Sequence, residues 1–255
     1  MSLLVCEGVT KSFLGVRALS EVSVSVAEGE TLGIIGPNGS GKTTFFNILS
    51  GLERADAGRI LLGGADITRT PPHRISARGI ARTFQNLRLF GGMTALENVL
   101  CGGHKEAPTG FLGQLAQTRA VRRAEAEADA RARACLAEVG LAGYEEAFTT
   151  QMSYGQTKRL ELARALNASP RVLLLDEPTA GMNDVQAAEI LDVVARLRDR
   201  HALTLIVIEH NVPVLARFAD RIVVLDAGRK LIEGAPATVV RDRRVIEAYL
   251  GKGAA

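Results

Sequence analysis

The sequence predicts an α/β protein: a doubly wound, largely parallel sheet interrupted in mid-chain by a helical insertion. Three observations carry that prediction. A glycine-rich loop over residues 36–44 joins an apolar run to an amphipathic helical pattern. Two continuous apolar runs, residues 172–175 and 203–208, have the character of parallel strands covered on both faces. Between those runs, Ile190, Leu191, Val194 and Leu197 recur at helical spacing, as a crossover helix requires.

The elements follow in order. Val22-Ser23-Val24-Ser25-Val26 alternates apolar and polar, as a strand with one wet face does. Ala27-Glu28-Gly29-Glu30 then turns the chain into Thr31-Leu32-Gly33-Ile34-Ile35, a buried strand that runs into the loop. The helix after the loop carries Phe45, Phe46, Ile48, Leu49 and Leu52 on its apolar face. Residues 59–62 and 79–84 are further strand candidates. Beyond Gln85, residues 86–168 read as mostly helical, including an Ala- and Arg-rich run over 119–140. In that run Val121, Ala124, Ala128, Ala132, Cys135 and Val139 mark a buried stripe, and interleaved Arg and Glu mark a solvated face. Residues 221–225 and 230–232 flank Asp226-Ala227-Gly228-Arg229 as a hairpin.

Composition narrows the function classes. The 255 residues fit one large domain or two small ones, with 47% hydrophobic and 23% charged residues, as in ordinary soluble proteins. A net charge of +3 with interleaved signs gives no nucleic-acid footprint, so no nucleic-acid partner is expected. No apolar run reaches the roughly 18–20 residues of a membrane span, and no secretory signal is expected at the N-terminus. Cys6, Cys101 and Cys135 lack CxxC spacing and read as reduced, half-buried thiols of an intracellular protein.

The chemistry starts at Gly36-Pro37-Asn38-Gly39-Ser40-Gly41-Lys42-Thr43-Thr44, which matches the phosphate-loop pattern GxxxxGK[ST] in its required strand–loop–helix setting. Glycines let backbone N–H groups turn inward around a β-phosphate, and the helix N-terminus adds a positive field. Lys42 reaches the β- and γ-phosphates, and the Thr43 hydroxyl ligates Mg²⁺. The loop therefore implies binding of a nucleoside triphosphate. Asp176, at the end of the 172–175 run, is placed to hold Mg²⁺ through its water shell, and Glu177 to act as general base on the attacking water.

Asp176-Glu177-Pro178-Thr179, preceded by Met152-Ser153-Tyr154-Gly155-Gln156 and the helix that opens there, resembles the ATPase subunit of an ABC transporter. The resemblance implies a P-loop NTPase core with a mixed sheet, an antiparallel β subdomain and an inserted helical subdomain. The core and β subdomain would take residues 1–85 and 169–255 of a single domain, and the helical subdomain 86–168. It implies ATP and Mg²⁺ as ligands and a head-to-tail pair of such subunits. Ser153, Gly155 and Gln156 of each would cap the ATP held by its partner. Gln85 then corresponds to the glutamine that senses Mg²⁺ and the attacking water. His210 corresponds to the switch histidine that contacts the γ-phosphate and orders Glu177, and Phe13 to the aromatic that stacks on adenine.

Two departures from the general pattern, Tyr154 for glycine and Asn183 for aspartate, are similar to the subgroup that imports branched-chain amino acids. The strings Arg82-Thr83-Phe84-Gln85-Asn86-Leu87-Arg88-Leu89-Phe90, Met93-Thr94-Ala95-Leu96-Glu97-Asn98-Val99, Ile208-Glu209-His210-Asn211 and Val245-Ile246-Glu247-Ala248-Tyr249-Leu250-Gly251 carry the same resemblance. The insertion around 109–123 resembles the larger of that system's two ATPase subunits. The expected partners are transmembrane permease subunits, a second ATPase subunit or a second copy, and indirectly a solute-binding protein. The expected place is the cytoplasmic face of the inner (plasma) membrane, with residues 86–99 receiving the permease. Relatives in the subgroup also serve urea and amides. Ribosome-acting members carry two cassettes and DNA-repair members long coiled coils, neither of which is present here.

Overall fold

A computed structural model describes residues 2–83, 89–103 and 119–250. Gln85, Asn86, Leu87 and the insertion up to residue 118 lie outside the described residues. Four strands, β1 (Ser2–Phe13), β2 (Val16–Ala27), β4 (Ala57–Leu62) and β5 (Ala65–Asp66), form an antiparallel sheet in the order β2-β1-β4-β5. The alternation read at residues 22–26 is there: Val22, Val24 and Val26 are buried, and Ser23 and Ser25 exposed.

The central sheet contains β3 (Thr31–Ile35), β6 (Ile80–Arg82), β7 (Val172–Asp176), β8 (Thr204–Ile208), β9 (Arg221–Asp226) and β10 (Arg229–Gly234). Its order is β10-β9-β3-β8-β7-β6, parallel throughout except for β10, which pairs with β9 through the expected hairpin. The continuous apolar runs are explained by burial on both faces. Leu173, Leu175, Leu205, Val207, Ile222 and Val224 enter one core, together with apolar side chains from the helical stretches 119–138, 154–167 and 184–201. Their neighbours Val172, Leu174, Ile206, Ile208, Val223 and Leu225 enter the other, shared with the antiparallel sheet. The period of two divides one run between two cores.

Helices cover both faces. α1 (Lys42–Leu49) follows β3, and α2 (Pro72–Ala77) precedes β6. α3 (Ala95–Gly102), α4 (Arg119–Glu138) and α5 (Tyr154–Asn167) pack on one another between β6 and β7 in sequence. α6 (Asp184–His201) is the crossover from β7 to β8, and α7 (Val212–Phe218) the crossover to β9. The chain closes with α8 (Pro236–Val239) and α9 (Arg243–Leu250). Among the described residues, three helices begin in reciprocal capping boxes: Thr94 with Glu97, Ser153 with Gln156, and Asn183 with Gln186.

Some side chains differ from the sequence reading. Leu52 lies past the end of α1 and is exposed, so it does not join Phe45, Phe46, Ile48 and Leu49 in the core. Ala124 is exposed because only the C-terminal half of α4 lies on the core, where Ala132, Cys135 and Leu136 are buried. Cys6 and Cys135 are buried and Cys101 is exposed, rather than all three being half-buried.

Candidate functional site

The residues singled out around the phosphate loop leave the central sheet at the carboxyl ends of its parallel strands, where open α/β sheets bind ligands. Register brings them together. Ile34 of β3 pairs with Ile208 of β8, which pairs with Asp176 of β7, so the segments after all three strands emerge side by side. Between them lies a cleft of about 340 Å³ lined by Ala18, residues 38–44, Glu177 and His210.

The loop wraps Lys42. Its Nζ donates to the Gly36 carbonyl at 2.7 Å and the Pro37 carbonyl at 3.0 Å. Burial lowers the Lys42 pKa, and the charges of Glu177 and Asp176 oppose that shift. Only glycine suits two positions in the loop. Gly36 has φ +150°, and a Cβ there would meet the Leu225 carbonyl oxygen at 2.0 Å. Gly41 has φ +101°, and a Cβ there would stand 2.6 Å from the Ala18 carbonyl oxygen. Ser40 Oγ is buried without a hydrogen-bond partner among the described residues. A loop with a buried cation at its floor, an orphaned hydroxyl and a helix N-terminus facing the opening fits a phosphate chain.

Glu177 is held in an unusual backbone state. Its φ of 49° is left-handed, costly for a residue with a Cβ, and persists because the surroundings over-determine it. The Glu177 N–H donates to Ile208 O at 2.9 Å. One turn on, the buried Glu209 accepts from Thr179 N at 3.0 Å, from Thr179 Oγ1 at 2.7 Å and from His210 N at 3.2 Å. These bonds tie the segment after β7 to the segment after β8. They bring His210 Nε2 to 2.5 Å from Glu177 Oε1, with Glu177 largely buried and His210 half exposed at the cleft mouth. A carboxylate and an imidazole in contact beside an anion-ready loop can take a proton from a water next to a phosphoryl group.

Asp176 is engaged with Arg82 of β6. The guanidinium meets Asp176 Oδ2 at 2.8 Å, with both side chains nearly fully buried (6% and 5% exposed), and reaches Asn47 Oδ1 of α1 at 2.8 Å and Ser50 Oγ at the end of that helix at 3.1 Å. One arginine therefore joins β6, β7 and the helix of the phosphate loop. Phe13 stands at the tip of the β1–β2 hairpin, 40% exposed, with Lys11 Nζ 5.2 Å from its ring centre. It does not line the cleft, although Ala18 of the neighbouring strand does. Gln85 lies outside the described residues.

The structure keeps Ser153, Gly155 and Gln156 out of the lining of this cleft. They form the N-terminus of α5, where Ser153 Oγ accepts from Gln156 N at 3.3 Å and Gln156 Oε1 accepts from Ser153 N at 2.8 Å. Tyr154 donates its hydroxyl proton to Ala180 O at 2.9 Å, linking this helix start to the loop after Glu177. Sequence reasoning missed the roles of Arg82, Glu209, the Tyr154 hydroxyl and Tyr249, whose hydroxyl accepts from Gly36 N at 2.8 Å. Arg82, Glu209 and Tyr249 lie within strings quoted for the subgroup resemblance, the one signal that pointed near them.

Comparison with known proteins agrees with this arrangement. A sequence model of the ABC transporter family matches residues 19–180, and one described as branched-chain amino acid ATP-binding cassette transporter matches residues 229–255. The chain is 41% identical over 250 residues to the high-affinity branched-chain amino acid transport ATP-binding protein BraF of Pseudomonas aeruginosa, covering 98% of each chain. Among solved structures, it is similar to the ADP conformation of an ATP-binding cassette of an ABC transporter, with TM-score 0.86 and 33% identity, covering 99% of this chain and 100% of that one. It is also similar to a dimeric cassette in a post-hydrolysis state bound to ADP and Pi, with TM-score 0.74 and 28% identity, covering 91% of this chain and 98% of that one. The match runs through the phosphate loop, the strand-end carboxylates and the C-terminal segment alike, so the chain belongs to the ABC transporter family and is an ATP-binding cassette of it.

Proposed function

We propose that this cassette hydrolyses ATP to energise import of branched-chain amino acids through a transmembrane permease. It would work at the cytoplasmic face of the membrane as one of a pair of ATPase subunits. The single observation that carries the chemistry is the Glu177–His210 contact at the mouth of the cleft that Lys42 floors. The name of the Pseudomonas relative, together with the C-terminal match, supports the solute class. No helix among the described residues is long and apolar enough to cross a membrane, so the reading requires separate permease subunits. The cassette that is dimeric with ADP and Pi supports the pairing.

In this reading residues 36–44 hold the phosphates of ATP, with backbone N–H groups and the Lys42 ammonium facing the β- and γ-phosphates. Phe13 carries the adenine. Mg²⁺ would be held by the hard oxygens of Thr43, Asp176 and Gln85, in keeping with its need for few protein ligands, and would neutralise charge on the β- and γ-phosphates. Glu177 takes the proton from the water that attacks the γ-phosphorus as the bond to the β–γ bridging oxygen breaks and ADP departs with that oxygen. His210 fixes the Glu177 carboxylate through the contact already in place. Ser153, Gly155 and Gln156 act on the nucleotide of the partner subunit, where the start of α5 supplies donors and a positive dipole end.

The permease would rest near α3, where Phe90 is 50% exposed beside the groove formed with Leu52, Pro72, Ile75 and Cys101. The test is recovery of partners with the Glu177→Gln variant, tagged in its native cell and extracted from membranes in the presence of ATP. Two permease subunits, an ATPase partner and a solute-binding protein that binds leucine, isoleucine or valine are expected. A binding protein loaded with another solute overturns the substrate class, and recovery without any membrane protein overturns the transport reading.

A further inference from the structure

The last helix reaches back to the first residue of the phosphate loop. α9 is seated by Val245, which is buried in the larger core, and its final turn carries Tyr249, 38% exposed. Across 213 residues of sequence, the Tyr249 hydroxyl oxygen accepts the Gly36 N–H at 2.8 Å. The carbonyl of the same glycine accepts Lys42 Nζ at 2.7 Å. The φ of +150° at Gly36 and its packing against Leu225 O and Ser40 Oγ leave room for a hydrogen atom but not for a methyl group. Its N–H and its C=O thus bond one to the C-terminal helix and the other to the lysine.

Lysine has three N–H donors. Two of those on Lys42 are spent on Gly36 O and Pro37 O, which sets the direction of the third. The orientation of the Gly36 residue thus decides where that third donor aims, and Tyr249 is the side chain that holds the Gly36 N–H. We propose that Tyr249 is a positioning residue for nucleotide binding: its hydroxyl fixes Gly36 so that Lys42 presents its remaining donor to the phosphates. The proposal gives the C-terminal segment a task at the nucleotide site, and it rests on residues 36–44 being the ATP loop. Burial raises the Tyr249 pKa, and the hydrogen bond from the Gly36 N–H opposes that shift.

The experiment compares the full chain with Tyr249→Phe, Tyr249→Ala and Lys42→Ala. Binding of a fluorescent, non-hydrolysable ATP analogue is measured alongside KM and kcat for ATP and the thermal midpoint without nucleotide. Tyr249→Phe keeps the ring and its packing and removes only the hydroxyl. It should weaken analogue binding and raise KM for ATP by about three- to tenfold, the size of one hydrogen bond, with kcat within about twofold and the nucleotide-free midpoint held. Tyr249→Ala should weaken binding at least as much. If Tyr249→Phe binds and turns over ATP as wild type does while Tyr249→Ala loses affinity, the ring only packs and the proposal is overturned. A Tyr249→Phe that loses kcat with KM unchanged also overturns it. If Lys42→Ala binds the analogue like wild type, the assignment of the loop itself fails, an outcome separable from failure of the Tyr249 proposal.

Discussion

At the scale of single residues, Glu177 carries the strongest chemical expectation. Its backbone strain is sustained by the bond to Ile208 O and by the Glu209 clamp, which hold its side chain against His210. Glu177→Gln preserves shape and removes the base. It should bind ATP normally and lose about 10²–10⁴-fold in hydrolysis, measured as phosphate release under saturating ATP. Turnover within tenfold of wild type would place the base elsewhere. The thiols give an independent check on the packing. Burial pushes Cys6 up to about 12 and Cys135 up to about 11, whereas Cys101 is exposed. A raised thiol pKa means less thiolate, so at pH 8 one thiol per native chain should react rapidly with a disulfide reagent and three after unfolding. The sign also sets the alkaline limit. Both thiols favour the protonated form in the fold, so their contribution is complete below the ordinary value of 9.0 and is lost as pH rises toward 11–12. Three fast thiols in the native protein would mean the cores around Cys6 and Cys135 are open.

At the scale of elements, the buried Asn98 of α3 orders the segment that leads into its own helix. Its Oδ1 accepts from Phe90 N at 2.8 Å, and its Nδ2 donates to Thr94 O at 2.9 Å, Phe90 O at 3.2 Å and Met93 O at 3.4 Å. Asn98→Ala should cost about 2–3 kcal/mol of unfolding free energy in a denaturant titration, because it leaves buried backbone groups unpaired. A loss below about 0.5 kcal/mol would show that water replaces the side chain. Asn98 was visible in the sequence only as part of a family string, and the reason is general. The parallel strands β3, β7 and β8 and the β9–β10 hairpin were legible because continuous apolar runs and a two-residue turn are local signals. β1 was not, because Glu7-Gly8 breaks its pattern and its pairing with β2 shifts register there. Short helices such as α2 and α7 carry too few turns to show a period. In the site, the loop and the Asp176-Glu177 pair were legible from spacing. Arg82 meets Asp176 across 94 residues and Tyr249 meets Gly36 across 213, contacts that only the fold creates.

At the scale of the whole molecule, the proposed head-to-tail pair would have one chain present half of two different sites. Among the described residues, the cleft over Lys42 has no lining residue from α5. Ser153 and Gln156 satisfy each other in a capping box, so the helix start is already formed and needs no rearrangement to meet an anion supplied by a second subunit. The Tyr154 hydroxyl on Ala180 O then ties each helix start to the loop following the Glu177 of its own chain. This asymmetry predicts the behaviour of a mixed dimer. If Ser153 acts across the interface, Ser153→Ala in one subunit should impair the site whose phosphate loop belongs to the other. Pairing Ser153→Ala with a subunit carrying Lys42→Ala should then damage only one of the two sites, because both lesions fall on the same nucleotide. Placing both substitutions in one subunit against a wild-type partner should damage both sites. With tagged subunits purified as defined heterodimers, the first pairing should keep about half the wild-type ATPase rate and the second only a small residue, provided the sites turn over independently. The reverse pattern, a small residue from the first pairing and about half the wild-type rate from the second, would show that Ser153 serves the nucleotide bound by its own chain, and the head-to-tail pairing would have to be abandoned.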